Sequence, residues 1–196
     1  MAVEVRRLTR DETAAAFDDL ARLRITVFRD WPYLYDGDLA YERRYLGNFL
    51  AAPQAVVIGA LDGDRLVGAA TASPLTVHHP EFAEPVRAAG MDPAGIFYFG
   101  ESVLLADRRG QGIGVRFFEE REAAARELGF VTCLFSAVVR PETHPLRPEG
   151  HVSLNGFWRN RGYERVADLV TTFSWKDIGE KSETPKPMEY WRKSLF

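Results

Sequence analysis

The sequence predicts an α/β fold of the α+β kind, and three observations carry that prediction. Apolar runs of strand character alternate with stretches of helical period, in the order β-α-α-β-β-β-α-β-α-β-β along 196 residues. Two of the runs, Ala55 to Leu61 and Arg65 to Pro74, are joined by Asp62-Gly63-Asp64, a hairpin turn in length and composition. A third run, Ile96 to Leu105, leads through Arg109-Gly110-Gln111-Gly112-Ile113-Gly114-Val115 directly into a long amphipathic helix.

Val3 to Leu8 opens the order as a short strand. Thr9 or Asp11 then caps a helix whose apolar positions Ala14, Phe17, Leu20, Leu23 and Val27 recur at intervals of three and four. Arg29 to Asp38, rich in aromatics and broken by Pro32 and Gly37, reads as a loop, and a second helix follows over Leu39 to Leu50. His78 to Ala89 is assigned a short helix. The helix after the glycine turn runs from Gly112 to about Leu128, with Ile113, Phe117, Ala124 and Leu128 on one face. Phe130 to Val139 is the next strand. Beyond a loop centred on Thr143 to Gly150, a short helix spans Val152 to Arg161 and stops at Gly162. Leu169 to Asp177 and Met188 to Leu195 close the order as strands, separated by the polar stretch Gly179 to Pro187.

With 46% hydrophobic and 27% charged residues, the chain has apolar material for one domain over residues 1–196. A net charge of −3 gives no basic excess for nucleic acid. The single cysteine, Cys133, excludes an internal disulfide, suits a reducing cytoplasm and sits in an apolar run, as a buried structural thiol does. No apolar stretch reaches the roughly 18 residues of a membrane span, and no signal-peptide pattern opens the chain. The expectation is a soluble, cytoplasmic protein with no membrane partner. His78, His79, His144 and His151 lack ligand spacing, so no metal site is expected.

The glycine turn is the strongest chemical signal. Arg109, Gly112 and Gly114 fit the pattern Arg/Gln-x-x-Gly-x-Gly/Ala. Glycine lets the backbone approach phosphate oxygens, the first free N–H groups of a helix point at them, and the helix dipole adds positive potential. Arg108, Arg109 and Arg116 add charge around the turn. The Walker pattern fails for want of a Lys-Ser or Lys-Thr pair, which disfavours an NTP-binding enzyme. The dinucleotide fingerprint fails at Val115, where its third glycine belongs. A diphosphate site or a ligand-free glycine cap remains. The stretch resembles the acetyl-CoA pyrophosphate loop of the GNAT (Gcn5-related N-acetyltransferase) superfamily, and the order of elements resembles that superfamily over essentially the whole chain.

The resemblance implies a mixed, twisted central sheet of about seven strands with helices on both faces, and acetyl-CoA as cosubstrate. It implies that the strand before the glycine turn splays from the next strand, and that the pantetheine arm pairs with its exposed main chain. By position, Ser102, Val103 and Leu104 supply those backbone contacts, and Arg109, Gly110, Gln111, Gly112, Ile113, Gly114 and Val115 hold the pyrophosphate. Acyl transfer by direct attack needs a neutral amine, a backbone donor for the oxyanion, and a base or water relay, since a lysine-like amine is almost wholly protonated at pH 7.

Glu101, in Tyr98-Phe99-Gly100-Glu101-Ser102, is the candidate base; a solvent-facing or arginine-paired glutamate is the alternative. Phe157 to Tyr163 resembles the superfamily's closing motif, but Trp158 stands where that motif has the tyrosine that acts as general acid, and an indole does not give up its proton. This departure is what favours the rival reading, a CoA-binding regulatory protein without turnover. Asn155 and Trp158 are expected beside the CoA, with a core position as the alternative for Trp158. The loop holding Tyr33, Tyr35 and Asp36 falls where the superfamily forms its acceptor wall, with Asp36 or Asp38 as a holder for an ammonium group; the alternative is that the aromatics only pack and that Asp36-Gly37-Asp38 is a turn and helix cap. His144, in the long segment Arg140 to Gly150, is the other acceptor candidate. The acceptor is then a small-molecule or peptide amine of unspecified identity, and a homodimer is left open.

Overall fold

The computed structural model describes residues 2–78 and 80–196, apart from the side chains of Pro80 and Glu81; His79 lies outside the described residues. Seven strands form one sheet in the order β1-β2-β3-β4-β5-β7-β6. β1 (Glu4–Arg7), β2 (Val56–Asp62), β3 (Arg65–Pro74) and β4 (Ile96–Leu104) are successive antiparallel neighbours. β5 (Thr132–Val138) runs parallel to β4, and β7 (Thr184–Ser194) pairs antiparallel with both β5 and β6 (Glu164–Trp175). The sheet is therefore mixed.

Helices cover both faces, which is why β2 and β3 are apolar without alternation. On one face α2 (Phe17–Phe28) and α3 (Leu39–Ala51) bring Leu20, Leu46 and Phe49 onto Val57, Leu66, Ala69 and Val103. On the other, Ile113 and Phe117 of α5 (Ile113–Glu127) pack on Ile58, Ala60, Val67 and Ala70. Further along the sheet α4 (Pro80–Ala88) covers Tyr98, Leu134 and Tyr190. Phe157 and Trp158 of α6 (Asn155–Asn160) join Phe99, Phe118, Phe135 and Trp191. Among the described residues no helix is long and apolar enough to cross a membrane.

Four elements differ from the sequence-based expectation. The first helix is two, α1 (Arg10–Ala15) and α2, meeting at Ala16. Thr9 caps α1 in a reciprocal box with Glu12, and Thr13 Oγ1 donates back to the Thr9 carbonyl, a bond that bends helices. β6 begins at Glu164 and β7 at Thr184, within stretches assigned to loop. β6 is the sheet edge with mostly exposed residues, so hydropathy does not mark it. Lys186 of β7 is buried because Asp177 and Glu180 surround its ammonium at 3.5 and 3.1 Å. The last helix is only six residues, shorter than its predicted range.

Candidate active site

β4 builds the site by being irregular twice. Its pairing with β3 passes from Ala70–Ser102 to Ala72–Phe99, so that Gly100 and Glu101 together oppose Thr71. That is a β-bulge, which re-aims side chains. Glycine is required there: a Cβ on Gly100 would fall 2.7 Å from Thr71 Oγ1. Its pairing with β5 then covers only Ile96, Phe97 and Tyr98, opposite Thr132, Cys133 and Leu134. Ser102, Val103 and Leu104 are thus bonded to β3 alone, and the sheet is split beside them.

The bulge sends Glu101 toward α2. Arg24 Nη1 stands 2.7 Å from Glu101 Oε2, and Arg24 Nε donates to Glu42 Oε2 of α3. The guanidinium lies 4.4 Å from the Tyr45 ring centroid and 5.1 Å from that of Phe28. Glu42 is 0% exposed and Glu101 7%, so two carboxylates and one guanidinium share the interior and leave one net negative charge. Neither Glu101 oxygen, nor Glu42 Oε1, receives a hydrogen bond; the Glu101–Arg24 contact is close but not aligned as one. Burial opposes the charge on Arg24, but Glu101, Tyr45 and Glu42 outweigh it and hold its pKa above the ordinary arginine value. The two carboxylates, against the opposing effect of Arg24, add to burial in raising the surrounding phenols. Tyr35 is raised by burial and then by Glu42, Tyr45 by burial and then by Glu101, and burial pushes Tyr33 up to about 12.

A cavity of about 580 Å³ opens against this cluster. Tyr98 forms part of its wall, and the Tyr98 hydroxyl meets Ser136 Oγ at 2.7 Å, just beyond the last β4–β5 pair. His78 is pressed among the rings of Phe49, Phe82 and Tyr98 with Nε2 2.7 Å from Ser73 Oγ, and burial pulls its pKa down to about 4. The imidazole is therefore neutral at pH 7. Arg24, Glu42, Tyr45 and His78 were not singled out from sequence. Two of them had a signal: Arg24 extends the apolar stripe Leu20 and Leu23, and Glu42 shares the spacing of Leu46 and Phe49.

Tyr33 and Tyr35 line the cavity. Arg140 fixes their loop: it donates to the Pro32 and Tyr33 carbonyls at 2.9 and 2.7 Å and grips both Asp177 oxygens at 2.7 and 2.9 Å. Trp175 Nε1 adds a 3.0 Å bond to the Tyr33 carbonyl. Asp36 and His144 are placed elsewhere. The Asp36 carboxylate turns to Lys176 at 2.7 Å and Arg29 at 3.5 Å, where two cations compete with any ligand for it. His144 lies against the Trp31 ring of the other loop, 5.1 Å between centroids, and its Nδ1 accepts from the Leu146 N–H at 3.2 Å, so these contacts hold it outside the cavity lining.

At the other end of β4, Gly110 and Gly112 adopt φ of 77° and 79°, a left-handed backbone that glycine permits. A Cβ on either would meet nothing within 4 Å, so the turn faces open space. Gln111 is exposed, and the Val115 and Arg116 N–H groups are the first to bond back to the Gly112 carbonyl. Ile113 is buried against the sheet, and Gly114 lies beside Phe157 of α6. Of the three arginines, Arg108 is paired with Asp62 at 2.7 Å and Arg116 donates to the Val5 carbonyl at 2.7 Å. Among the described residues Arg109 meets only Asp30, at 3.7 Å, which leaves it the least engaged of the three for an anion at the turn. Asn155 opens α6 with its N–H on Ser153 Oγ. Trp158 packs into the aromatic core, 5.1 Å from Phe135 and 5.0 Å from Trp191 between centroids.

In sequence comparison no family profile and no curated protein matches the chain. Solved structures do match it in shape. A ribosomal-protein-alanine N-acetyltransferase from Brucella melitensis superposes with a TM-score of 0.62 at 15% identity, covering 97% of this chain and 99% of that one. An aminoglycoside 6'-acetyltransferase type Ii gives 0.62 at 19% identity, with 98% and 97% covered. The PaiA N-acetyltransferase from Thermoplasma acidophilum, solved in complex with coenzyme A, gives 0.59 at 13% identity, with 99% of each chain covered. The chain has the GNAT fold.

Proposed function

We propose that the protein is an acetyl-CoA-dependent N-acetyltransferase that acts on a primary amine by direct attack. The observation that supports this most is the placement of the split between β4 and β5 beside an open, left-handed glycine turn that starts α5. Exposed main chain at Ser102 to Leu104 suits the amide-bearing arm of CoA, and the turn from Arg109 to Val115 suits its diphosphate. Acetyl-CoA supplies the activated acyl group. The chain supplies position and charge: the aromatic cavity excludes water around the amine, and the Glu101 carboxylate, held 2.7 Å from Arg24, takes the ammonium proton directly or through water. No acyl-enzyme is needed. Cys133 is buried and its thiol is pushed up to about 12 by burial, so it is no nucleophile at pH 7.

Thermal unfolding tests the reading. CoA and acetyl-CoA raise Tm while ATP and NAD do not, and CoASH release follows addition of a suitable amine. Gly112→Val should abolish the CoA shift. Gly63→Val, which bears comparable left-handed strain (φ 60°) at the β2–β3 turn, should lose stability but keep the shift. Normal CoA binding by folded Gly112→Val overturns the assignment.

A further inference from the structure

The charges around the cavity narrow the acceptor class. Building on the acyl-transfer reading, we propose that the acceptor is a primary monoamine with one ammonium group on an aromatic or bulky apolar body and no carboxylate of its own. The first support is a charge count. Glu42 and Glu101 against Arg24 leave one negative charge on the cavity wall, and His78 adds none because it is neutral at pH 7. The next cations are Arg44, exposed on α3 with its guanidinium 5.9 Å from the ring of cavity-lining Tyr41, where solvent screens its charge, and Arg140 and Lys186, each 5.8 Å from the Trp175 ring and matched by Asp177 and Glu180. One substrate ammonium therefore completes a balanced set. A second would be buried without a counter-charge, and unpaired charges in such surroundings are costly.

The same count excludes amino acids. Among the described residues that line the cavity Arg24 is the one cation, already bracketed by two carboxylates, so a substrate carboxylate held inside would meet repulsion there and could reach a cation only at solvent-exposed Arg44. Among the described residues Glu42 Oε1 and Glu101 Oε1 receive neither a hydrogen bond nor an ion-pair contact, and Glu101 Oε2 has only the unaligned Arg24 contact, whereas an ammonium brings three N–H donors. Much of the remaining wall is aromatic, with Phe28, Tyr33, Tyr45, Phe82, Tyr98 and Trp175 beside a few small polar groups such as Ser73 and Ser136, and it encloses a volume suited to a small molecule. Neutral rings of this kind favour an apolar body and add cation–π attraction for its ammonium.

Direct binding separates this proposal from the transfer reading. Calorimetry with CoA present should show 2-phenylethylamine binding at least tenfold more tightly than spermidine, which adds ammonium groups, or phenylalanine, which adds a carboxylate to the same body. Equal or tighter binding of spermidine or phenylalanine overturns the monoamine class, whatever the turnover. Selective binding of 2-phenylethylamine without CoASH release supports the class and overturns acyl transfer. Asn48→Asp is the gain-of-charge test. Asn48 is exposed on α3 at the cavity, so the fold tolerates the change. It should narrow the preference for monoamine over spermidine at least fivefold, and an unchanged ratio overturns the electrostatic basis of the proposal.

Discussion

Arg24 and Arg121 reach the β4 bulge from opposite faces of the sheet, and they settle a buried guanidinium in different ways. Arg24 is held between two carboxylates, which raises its pKa. Arg121, 1% exposed, directs its N–H groups to neutral oxygens: the carbonyls of Phe117, Glu101 and Thr71 at 3.0, 3.2 and 3.4 Å, and Ser102 Oγ at 2.9 Å. It also lies 4.1 Å from the Phe99 ring centroid. Carbonyl dipoles and ring faces compensate burial less fully than carboxylates do, and burial pulls Arg121 down to about 10. Arg24 sets the charge of the cavity. Arg121 holds the main chain on both sides of the bulge that aims Glu101.

The contrast is most exposed to Arg24→Met. Removing the cation leaves two buried carboxylates facing each other, and breaking a buried pair costs about 3–5 kcal/mol. Urea unfolding at pH 7 should show a loss of that size. The stranded carboxylates would have folded-state pKa values above their unfolded ones, so the deficit shrinks as pH falls toward 4. A deficit that does not shrink in acid would mean that Arg24 acts through packing alone.

Glu101→Gln comes next. It leaves Arg24 matched one-to-one by Glu42 and should lower turnover on the order of 10²-fold, the low end for loss of a general base. CoA affinity should stay within about threefold. Wild-type rates at every pH would make Glu101 a structural partner of Arg24 and nothing more.

Arg121→Met strands only neutral acceptors, for which about 2 kcal/mol is the expected cost, with little change between pH 4 and 7. A larger loss than in Arg24→Met, or the same recovery in acid, would erase the distinction between the two arginines. The smallest effect belongs to Ser102→Ala. It removes one of the four acceptors of Arg121 and should cost about 1 kcal/mol in urea unfolding, with turnover changed less than twofold.

What was legible in the sequence was local. The glycine turn depends on residues within one short segment, and its left-handed backbone at Gly110 and Gly112 follows from residue type. The β2–β3 hairpin and the strand feeding α5 are equally local, and each was found near its predicted limits. What escaped depends on pairs distant in the chain. The bulge at Gly100 and Glu101 is a matter of register against β3, which no single strand encodes. The Arg24–Glu42 contact joins residues 18 apart on two helices, although each residue falls on the apolar stripe of its helix. The ion pair of Asp36 with Lys176 likewise joins distant parts of the chain, so the residues around Asp36 alone do not show it. Trp158 departs from the tyrosine of the closing motif, and the ring stacks it makes with Phe135 and Trp191 give that departure a packing reason.

The three residue pairs that join β4 to β5 have a consequence for how the molecule breathes. For amide exchange the sheet behaves as two sheets sewn together at one end, β1 to β4 on one side and β5 to β6 on the other. Amides of Phe99 to Leu104 that turn away from β3 have no strand to shelter them, and they exchange through small openings of the seam rather than through global unfolding. A ligand seated in the seam would act as an eighth strand, and the protection it conferred would rise together on residues 99–104 and 135–138.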